Sequence, residues 1–424
     1  MKAGFAQVDI SPEYFPIRTY FSQVEEIIDP IFAHSAVFDD GHNQFAFLSL
    51  DIVIIEAEYV ERIKKIVTET TGIPSSNLMV CATHNHACPA VVERGHFKKE
   101  EPYIESMIQK GALAIEMAWK SRQPVVCGAI SGYEDRVSAN RRYIRRDGTV
   151  ITQPQITLLT NDILCCEGPI DPEIGVVCIK NMEGKILGVM VNFSAHANMR
   201  MGLVSSDYPG IIYTDIKTHY GADCIFLAGA CGNINSVSSV ESTGSLLAVD
   251  VRRLIDSIKD FSADWDIESR ERKISLPLRS LEKLEAAVRN PEMFIGVLPE
   301  LVKKGWYKHS LEILRNLREK GDSLDVVVQV CRLGKVAFAS VPCEYFVEHQ
   351  LRIKEEHKTP YTYIVSLANG WLGYIPTKKA FEREGGHETT TALWSKMAPE
   401  TGDILANTVL EMLAETGHTL KQLF

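Results

Sequence analysis

The sequence predicts an α/β fold, with residues 1–424 forming a single large domain in which mixed β-sheets are layered against helices. Strand-like and helical segments interleave along the whole chain, and no Pro/Gly-rich linker, low-complexity tract or detectable sequence repeat divides it. Apolar residues make up 45% of the 424 and charged residues 24%, the ordinary composition of a globular protein with a sizeable core.

The first half of the chain begins with strands and continues with alternating helices and strands. Apolar alternation and buried-type runs predict strands over 3–10, 31–40, 45–55, 78–84, 125–137 and, as a pair turning at Glu183–Gly184, 174–196. Helical periodicity predicts helices over 57–71 and 102–121. Gly72 is a typical helix stop after the first of them.

The second half repeats this alternation. Helices are predicted from about Pro209, over 245–260, within the charged stretch 279–319, over 344–356 and over 402–416. Strands are predicted over 223–233, 325–333, 336–342 and 361–369.

Charge and hydropathy exclude several classes of function. A net charge of −10 argues against nucleic acid or an anionic membrane as the main partner, so we expect a small-molecule substrate. No run of about 18 apolar residues predicts a transmembrane helix, and the N-terminus shows no secretory signal. The ten cysteines include no Cys-x-x-Cys pair, which favours free thiols and a cytoplasmic location. The oligomeric state stays open.

The stretch VCATHNHACP places His84 and His86 at the end of a predicted strand. Side chains two residues apart project from the same side of a strand, so both can reach one ion. The pair alone is equally compatible with hydrogen-bonding polar residues. Cys81 and Cys88 offer another alternative, a closed Cys/His structural zinc site, although the rest of such a ligand pattern is missing.

Other chemically capable side chains also follow predicted strands. His196 ends VMVNFSAH, Glu344 follows VAFASVP, and Tyr374 follows the strand that contains IVSLAN. Loops at strand ends of α/β scaffolds face a common crevice, so these residues could share one site with His84. Each also has a structural interpretation: Glu344 could stabilise a helix N-terminus and Tyr374 could be a core aromatic.

The order of eight motifs resembles the catalytic domain of neutral, non-lysosomal ceramidases and their shorter bacterial homologues. The motifs, which cover the chain to about residue 390, are AGFAQVDISP, ATHNHACP, SANRR, NFSAH, SSDYPG, LAGACGNIN, VPCEYF and LANGWLGYIPT. The resemblance implies a metallohydrolase domain with one catalytic Zn²⁺ per chain. The ligands that it implies are His84, His196, Glu344 and Tyr374.

The resemblance also implies catalytic roles around that ion. His86, the second histidine of the pair, would contact the reacting substrate, and Arg141 corresponds to the arginine of the family's NR motif. Two imidazoles and a carboxylate suit zinc and leave a position for water or a substrate oxygen. Such a site fits hydrolysis of an amide, with an ester as the alternative.

The chain departs from the family in two stretches near the implied site. The family serine of GDVSPN is missing from GACGNIN, where Gly232 or a neighbour takes its place, and Cys231 is more typical of a buried residue than of a nucleophile. The family's later active-site tyrosine falls near GGHE, so His387 is a candidate catalytic residue or a solvated loop histidine.

Two aspartates remain ambiguous. Asp207 could face the site or cap the helix near Pro209, and Asp51 could orient a ligand histidine.

The sequence ends at Phe424, with no stretch that would correspond to the C-terminal sandwich domain of full-length ceramidases. We therefore expect a zinc-dependent amidohydrolase acting on a small soluble N-acyl compound rather than on ceramide. The alternatives are a metal-dependent esterase or other hydrolase, and a non-catalytic metal-containing binding protein.

Overall fold

In the computed structural model, residues 1–93, 98–153 and 162–417 are described. Two β-sheets pack face to face, and helices cover the outer face of each sheet. This four-layer arrangement confirms the predicted α/β class with mixed sheets layered against helices. No helix in the described ranges has both the length and the apolar character needed to cross a membrane.

The strands of the described residues are β1 (Lys2–Asp9), β2 (Ile17–Arg18), β3 (Gln23–Val24), β4 (Phe32–Asp39), β5 (Gln44–Leu50), β6 (Leu78–Ala82), β7 (Gln123–Tyr133), β8 (Ser138–Asn140), β9 (Arg142–Arg145), β10 (Val150–Thr152), β11 (Ile163–Cys166), β12 (Glu173–Asn181), β13 (Ile186–Phe193), β14 (Asp223–Ala228), β15 (Ile234–Ser236), β16 (Ile267–Pro277), β17 (Ser323–Leu333), β18 (Val336–Val341), β19 (Glu344–Tyr345), β20 (Thr362–Ser366) and β21 (Tyr374–Ile375).

The α-helices of the same residues are α1 (Ala57–Thr71), α2 (Glu101–Lys120), α3 (Asp207–Tyr220), α4 (Val240–Ser257), α5 (Glu282–Arg289), α6 (Pro299–Lys303), α7 (Trp306–Glu319), α8 (Val347–His357), α9 (Lys378–Glu382) and α10 (Thr401–Glu415). Gly72 ends α1 as predicted, because it adopts a left-handed conformation that glycine tolerates without strain.

The described part of the chain contains three copies of one β-β-β-α-β-α topology, although the sequence shows no repeat. The first copy is β1-β4-β5-α1-β6-α2, the second β7-β12-β13-α3-β14-α4 and the third β16-β17-β18-α8-β20-α10. In each copy the first three strands are antiparallel and the helix crosses over to a parallel fourth strand. Insertions of different lengths separate these elements and hide the repeat from the sequence.

The first two copies form an eight-stranded sheet, and the third forms a four-stranded sheet packed against it. Within the described residues, the two halves of the larger sheet are joined by pairing between β1 and the start of β7. Aromatic side chains fill the space between the sheets, where the rings of Phe47 and Phe338 lie 5.0 Å apart. Burying one such ring stabilises the fold by about 1.5–3 kcal/mol.

The parallel strand pairs of the three copies lie next to one another. The Ser49 hydroxyl on β5 donates to the Phe226 carbonyl on β14 over 2.6 Å. The Asn192 amide on β13 donates to the carbonyls of Leu227 on β14 (2.8 Å) and Ile364 on β20 (2.9 Å). These bonds draw the loops that follow β5, β6, β13, β14, β18 and β20 to one region of the molecule.

Two of the differences from the sequence predictions bear on the sheets and on the site. Strand β16 was missed because its charged side chains mask the alternation; it is an edge strand, where charge facing solvent is common. The helix expected over 344–356 begins at Val347. Glu344 instead belongs to the short strand β19, which pairs in parallel with β21 and places Glu344 opposite Tyr374.

Candidate metal centre

Three side chains from different copies of the fold meet at the strand ends. His84 is the second residue beyond β6, while His196 and Glu344 are each the third residue beyond β13 and β18. Oε2 of Glu344 lies 3.2 Å from Nε2 of His84 and 3.6 Å from Nε2 of His196. All three are buried, so the geometry brings two imidazoles and a carboxylate into one dry cluster.

Backbone carbonyls fix the orientation of both histidine rings. Nδ1 of His84 lies 2.7 Å from the carbonyl oxygen of Val53, and Nδ1 of His196 lies 3.0 Å from that of Ile234. A carbonyl can only accept, so each Nδ1 carries a proton, and in the neutral imidazole Nε2 then presents its lone pair. A carbonyl behind the ring is the usual support of a metal-binding histidine.

Glu344 presents an unused oxygen to these lone pairs. Its Oε1 accepts a hydrogen bond from the Trp371 indole over 3.1 Å, whereas Oε2 is buried without a hydrogen-bond partner. Burial raises the pKa of Glu344, but His84 and His196 outweigh burial and hold the pKa well below its usual value. Burial, Arg141 and His84 together lower the pKa of His196 to about 3. Carboxylate and neutral imidazole are the forms that bind metals.

Two further side chains lie close enough to be considered as a fourth donor. The ring of Tyr374 stacks near that of His196, with centroids 6.5 Å apart. The donor atoms of His84, His196 and Cys231 all lie within 4.8 Å of one another. Burial raises the pKa of the Cys231 thiol, so it is a poor nucleophile and needs a metal to become a thiolate ligand.

The carboxylate of Glu388, which the sequence did not indicate, holds Arg141 beside the cluster. Nη1 of Arg141 is 3.2 Å from Nε2 of His196, and Nε of Arg141 donates to Oε1 of Glu388 over 2.8 Å. Glu388 is completely buried and also accepts from Nη1 of Arg142 (2.8 Å) and from the Thr152 hydroxyl (2.6 Å). A lone glutamate in the loop GGHETT has no periodic pattern that would reveal this role.

The two predicted catalytic histidines lie at different distances from the cluster. Nε2 of His86 is 3.3 Å from Nε2 of His84, and the two rings are 4.6 Å apart. His387 is more remote: its ring lies 5.6 Å from that of Tyr374 and stacks on Trp394 at 4.9 Å. His86 therefore adjoins the donor atoms directly, whereas His387 is connected to them through Tyr374.

A small cavity opens beside the cluster. Its volume is about 10 Å³, and it is lined by Tyr20, Val53, Ile54, His84, His86, Val92, Glu344 and Trp371. That volume is about what one water molecule requires. A polar ligand atom in this cavity would therefore lie among the side chains just described.

A serine side chain could not be accommodated at the position of Gly232. A Cβ at Gly232 would lie 2.5 Å from the Glu344 carbonyl oxygen, so glycine is required there by close packing. Besides the Cys231 thiol, the side chain of Asn235 reaches the site from the same stretch. Its Oδ1 accepts from Nη1 of Arg141 over 3.1 Å and from the Asn198 amide over 3.3 Å.

The two ambiguous aspartates have structural partners. Both oxygens of Asp207 accept backbone N–H groups, at Tyr208 and in the loop that precedes α3. Asp51 accepts from the Phe32 N–H and the Tyr213 hydroxyl, while Val53 supports the ligand histidine. The carbonyl of Val53, rather than the carboxylate of Asp51, is therefore the group that contacts Nδ1 of His84.

The cysteines of the His-x-His stretch also lie in apolar surroundings. All ten cysteines are free thiols, and Cys81 and Cys88 are fully buried in different apolar clusters. The cluster of metal-type side chains found among the described residues includes neither of them. A closed Cys/His zinc site at this stretch is therefore not formed.

The donor set fits zinc on its chemistry. Two Nε2 lone pairs and one buried, unpaired carboxylate oxygen converge, and His₂Glu with an open position is an established catalytic zinc arrangement. Among the described residues, His84, His196 and Glu344 are thus able to hold the ion. Tyr374 and Cys231 are the neighbours that could add a fourth bond.

Comparison with known proteins identifies the fold. No family model and no curated protein matches the sequence. Among solved structures, neutral ceramidase from Pseudomonas aeruginosa matches with a TM-score of 0.72 and 16% identity over 97% of this chain and 74% of that one. A ceramidase complexed with C2 matches with a TM-score of 0.72 and 15% identity over the same shares. The prediction from the eight ordered motifs is confirmed for the architecture: this chain has the fold of neutral ceramidase.

Proposed function

We propose that the protein is a zinc-dependent hydrolase that cleaves the amide bond of a small soluble N-acyl compound, with water as the nucleophile. The observation that carries the proposal is the convergence of Nε2 of His84, Nε2 of His196 and the unpaired Oε2 of Glu344. We propose one zinc ion per chain, with Tyr374 as the fourth ligand.

The ion and the side chains have separate tasks in this proposal. Zinc bound at these donors would lower the pKa of a water molecule to about 7 and polarise a carbonyl group. His86 lines the cavity beside the donors, so its imidazole is placed to hydrogen-bond the reacting oxygen or to carry a proton. His387 is a second proton carrier or a polar substrate contact.

Arg141 supplies fixed positive charge next to the reaction. Burial lowers the pKa of its guanidinium, but Tyr374 and Glu388 outweigh burial and raise the pKa, so the charge is permanent. Glu388 on one side and Asn235 on the other fix its position. A preoriented cation stabilises the negative charge that develops on the carbonyl oxygen of a tetrahedral intermediate.

The proposed bond type, an amide, is the one expected from the two ceramidase structures with the same fold. The proposed small soluble substrate differs from the lipid that a ceramidase cleaves. A ceramidase cleaves the amide bond of ceramide, and the shared fold with the present donor set favours the same reaction class. The absence of a serine in the stretch GACGNIN and the net charge of −10 favour a small soluble substrate over a membrane lipid. The cytoplasmic location stays a prediction.

Hydrolysis by zinc-loaded protein tests the proposal. A panel should pair each N-acyl amide with its isosteric ester and a ceramide, and product should be followed by mass spectrometry. We expect the wild-type protein to cleave the amides and a chelator to abolish this activity. Glu344→Ala should be inactive, whereas the control variant His42→Ala, at an exposed position, should keep the activity. Cleavage of esters alone would favour the esterase alternative, and bound zinc without turnover on any member would favour a binding protein.

A further inference from the structure

A second, larger cavity lies outside the candidate metal centre. Its volume is about 620 Å³, within the range of about 300–1,000 Å³ that is usual for small-molecule sites. It lies between the α5 region and residues 381–391, the segment that carries His387 and Glu388. Nothing in the proposed hydrolysis uses this cavity.

Arg279 lines the cavity as a half-buried cation without a carboxylate partner. Its Nη1 donates to the Thr389 carbonyl over 2.8 Å and approaches the Ser395 hydroxyl at 3.4 Å. Burial alone lowers its pKa, to about 10, with no acidic side chain acting in the other direction. Residues outside the described ranges include no Asp or Glu, so they cannot supply the missing side-chain carboxylate.

The other charged side chains of the cavity do not neutralise Arg279. Glu292, Glu382 and Glu384 line it but are exposed, as is Lys283, so water solvates their charges. Arg383 is half-buried and lies 3.7 Å from Glu167. Among the described residues, Arg279 is therefore the half-buried cation of this cavity that has no carboxylate partner, and burying an unpaired charge is unfavourable unless a ligand compensates it.

Apolar side chains form part of the walls of this cavity. Leu284 and Ala287 are buried in the wall, Phe294 and Ile295 are half-buried, and the guanidinium of Arg279 lies 4.8 Å from the ring centre of Phe381. Such a pocket matches a molecule with one anionic head and an apolar body. A planar guanidinium with further N–H groups is suited to the two oxygens of a carboxylate or phosphate.

We propose that this cavity binds a small amphiphilic anion, with its carboxylate or phosphate group on Arg279 and its apolar body against Phe294 and Phe381. The proposal does not depend on the reaction at the metal centre. It does connect to that site, because Arg279 holds the carbonyl of Thr389 and the Ser395 hydroxyl donates to the carbonyl of Glu388 over 2.6 Å. An occupant would therefore contact the segment that positions Arg141.

Isothermal titration calorimetry with matched ligands tests the proposal on the intact protein. Octanoate and octyl phosphate carry the anionic head, octanamide lacks the charge and inorganic phosphate lacks the apolar body. We expect octanoate or octyl phosphate to bind about tenfold to hundredfold more tightly than octanamide and inorganic phosphate. Equal binding of octanoate and octanamide, or no binding of any anion, would overturn the proposal without requiring a variant.

Two variants then locate the bound anion. Arg279→Gln should weaken the preferred anion about tenfold or more, whereas Arg289→Gln, the same change at an exposed position of α5, should not. Glu344→Ala separates the two sites: we expect anion binding to persist in it even if hydrolysis and zinc are lost. Binding that disappears in Glu344→Ala but survives in Arg279→Gln would place the anion at the metal centre and refute the inference.

Discussion

Replacing Glu388 by glutamine tests how the cation of the candidate site is held. The change removes one negative charge and keeps the size of a completely buried side chain. Burial raises the pKa of Glu388, but Arg141 and Arg142 outweigh burial and lower the pKa to about 2, so the wild-type residue is a carboxylate. Arg142 retains Glu167 in the variant, whereas Arg141 loses the carboxylate with which it forms an ion pair among the described residues.

The expected loss of stability follows from this geometry. Breaking a buried ion pair by removing one partner costs about 3–5 kcal/mol, because a charge stays buried without compensation. For a chain of this length, that change corresponds to a melting temperature lower by roughly 3–6 °C. Urea unfolding and calorimetry of both proteins with the same zinc load measure it.

The expected loss of activity is separate from the loss of stability. If Glu388 positions Arg141 for the reaction, kcat on the best amide substrate should fall about 10²–10³-fold while KM changes little. Glu167→Gln is the matched control, because it removes a carboxylate from Arg142 and leaves the bond between Arg141 and Glu388 in place. Equal losses of kcat in the two variants would refute the positioning role, and unchanged stability in Glu388→Gln would refute the ion-pair reasoning.

Three further predictions concern the rest of the molecule. Burial lowers the pKa of His349 to about 4 from an ordinary 6.5, so between pH ~4 and ~6.5 the unfolded chain binds a proton that the folded chain does not. In this range, lowering the pH should therefore reduce the free energy of unfolding by about 1.4 kcal/mol per pH unit. His349→Gln should flatten this slope in urea unfolding, whereas exposed His42→Gln should not. Gly232→Ala should cost about 1–3 kcal/mol by the same method, because its Cβ would meet the Glu344 carbonyl at 2.5 Å; an unchanged midpoint would contradict the close packing. Phe338→Ala should cost about 3–5 kcal/mol, since it empties the contact between the two sheets, and a loss below about 1 kcal/mol would show that the sheets do not depend on it.

Much of the architecture could be predicted because strands and helices leave local patterns. Alternation and helical period identified most strands and the helices that cover them, while the charged edge strand β16 was hidden because its side chains face solvent. The threefold repetition of one topology could not be predicted, since it depends on backbone pairing rather than on residue identity.

Only some residues of the candidate site could likewise be predicted from the sequence. His84, His196 and Glu344 could be nominated because each follows an apolar strand, and the structure brings Oε2 of Glu344 to 3.2 Å from Nε2 of His84 and 3.6 Å from Nε2 of His196. Glu388 could not be nominated, because its partners are arginines almost 250 residues away and its own loop has no regular pattern. Sequence spacing also does not reveal that Cys231 lies close to His84 and His196, or that Asn235 rather than Gly232 contacts Arg141.

Zinc content and position test the central claim most directly. Protein purified without chelators should contain about one zinc per chain by elemental analysis, and anomalous diffraction at the zinc edge should place it between His84, His196 and Glu344. His84→Ala and Glu344→Ala should each lose the metal, whereas Cys178→Ser, a change at a buried cysteine within β12, should keep it. Wild-type protein without metal, or a zinc ion bound elsewhere, would contradict the account.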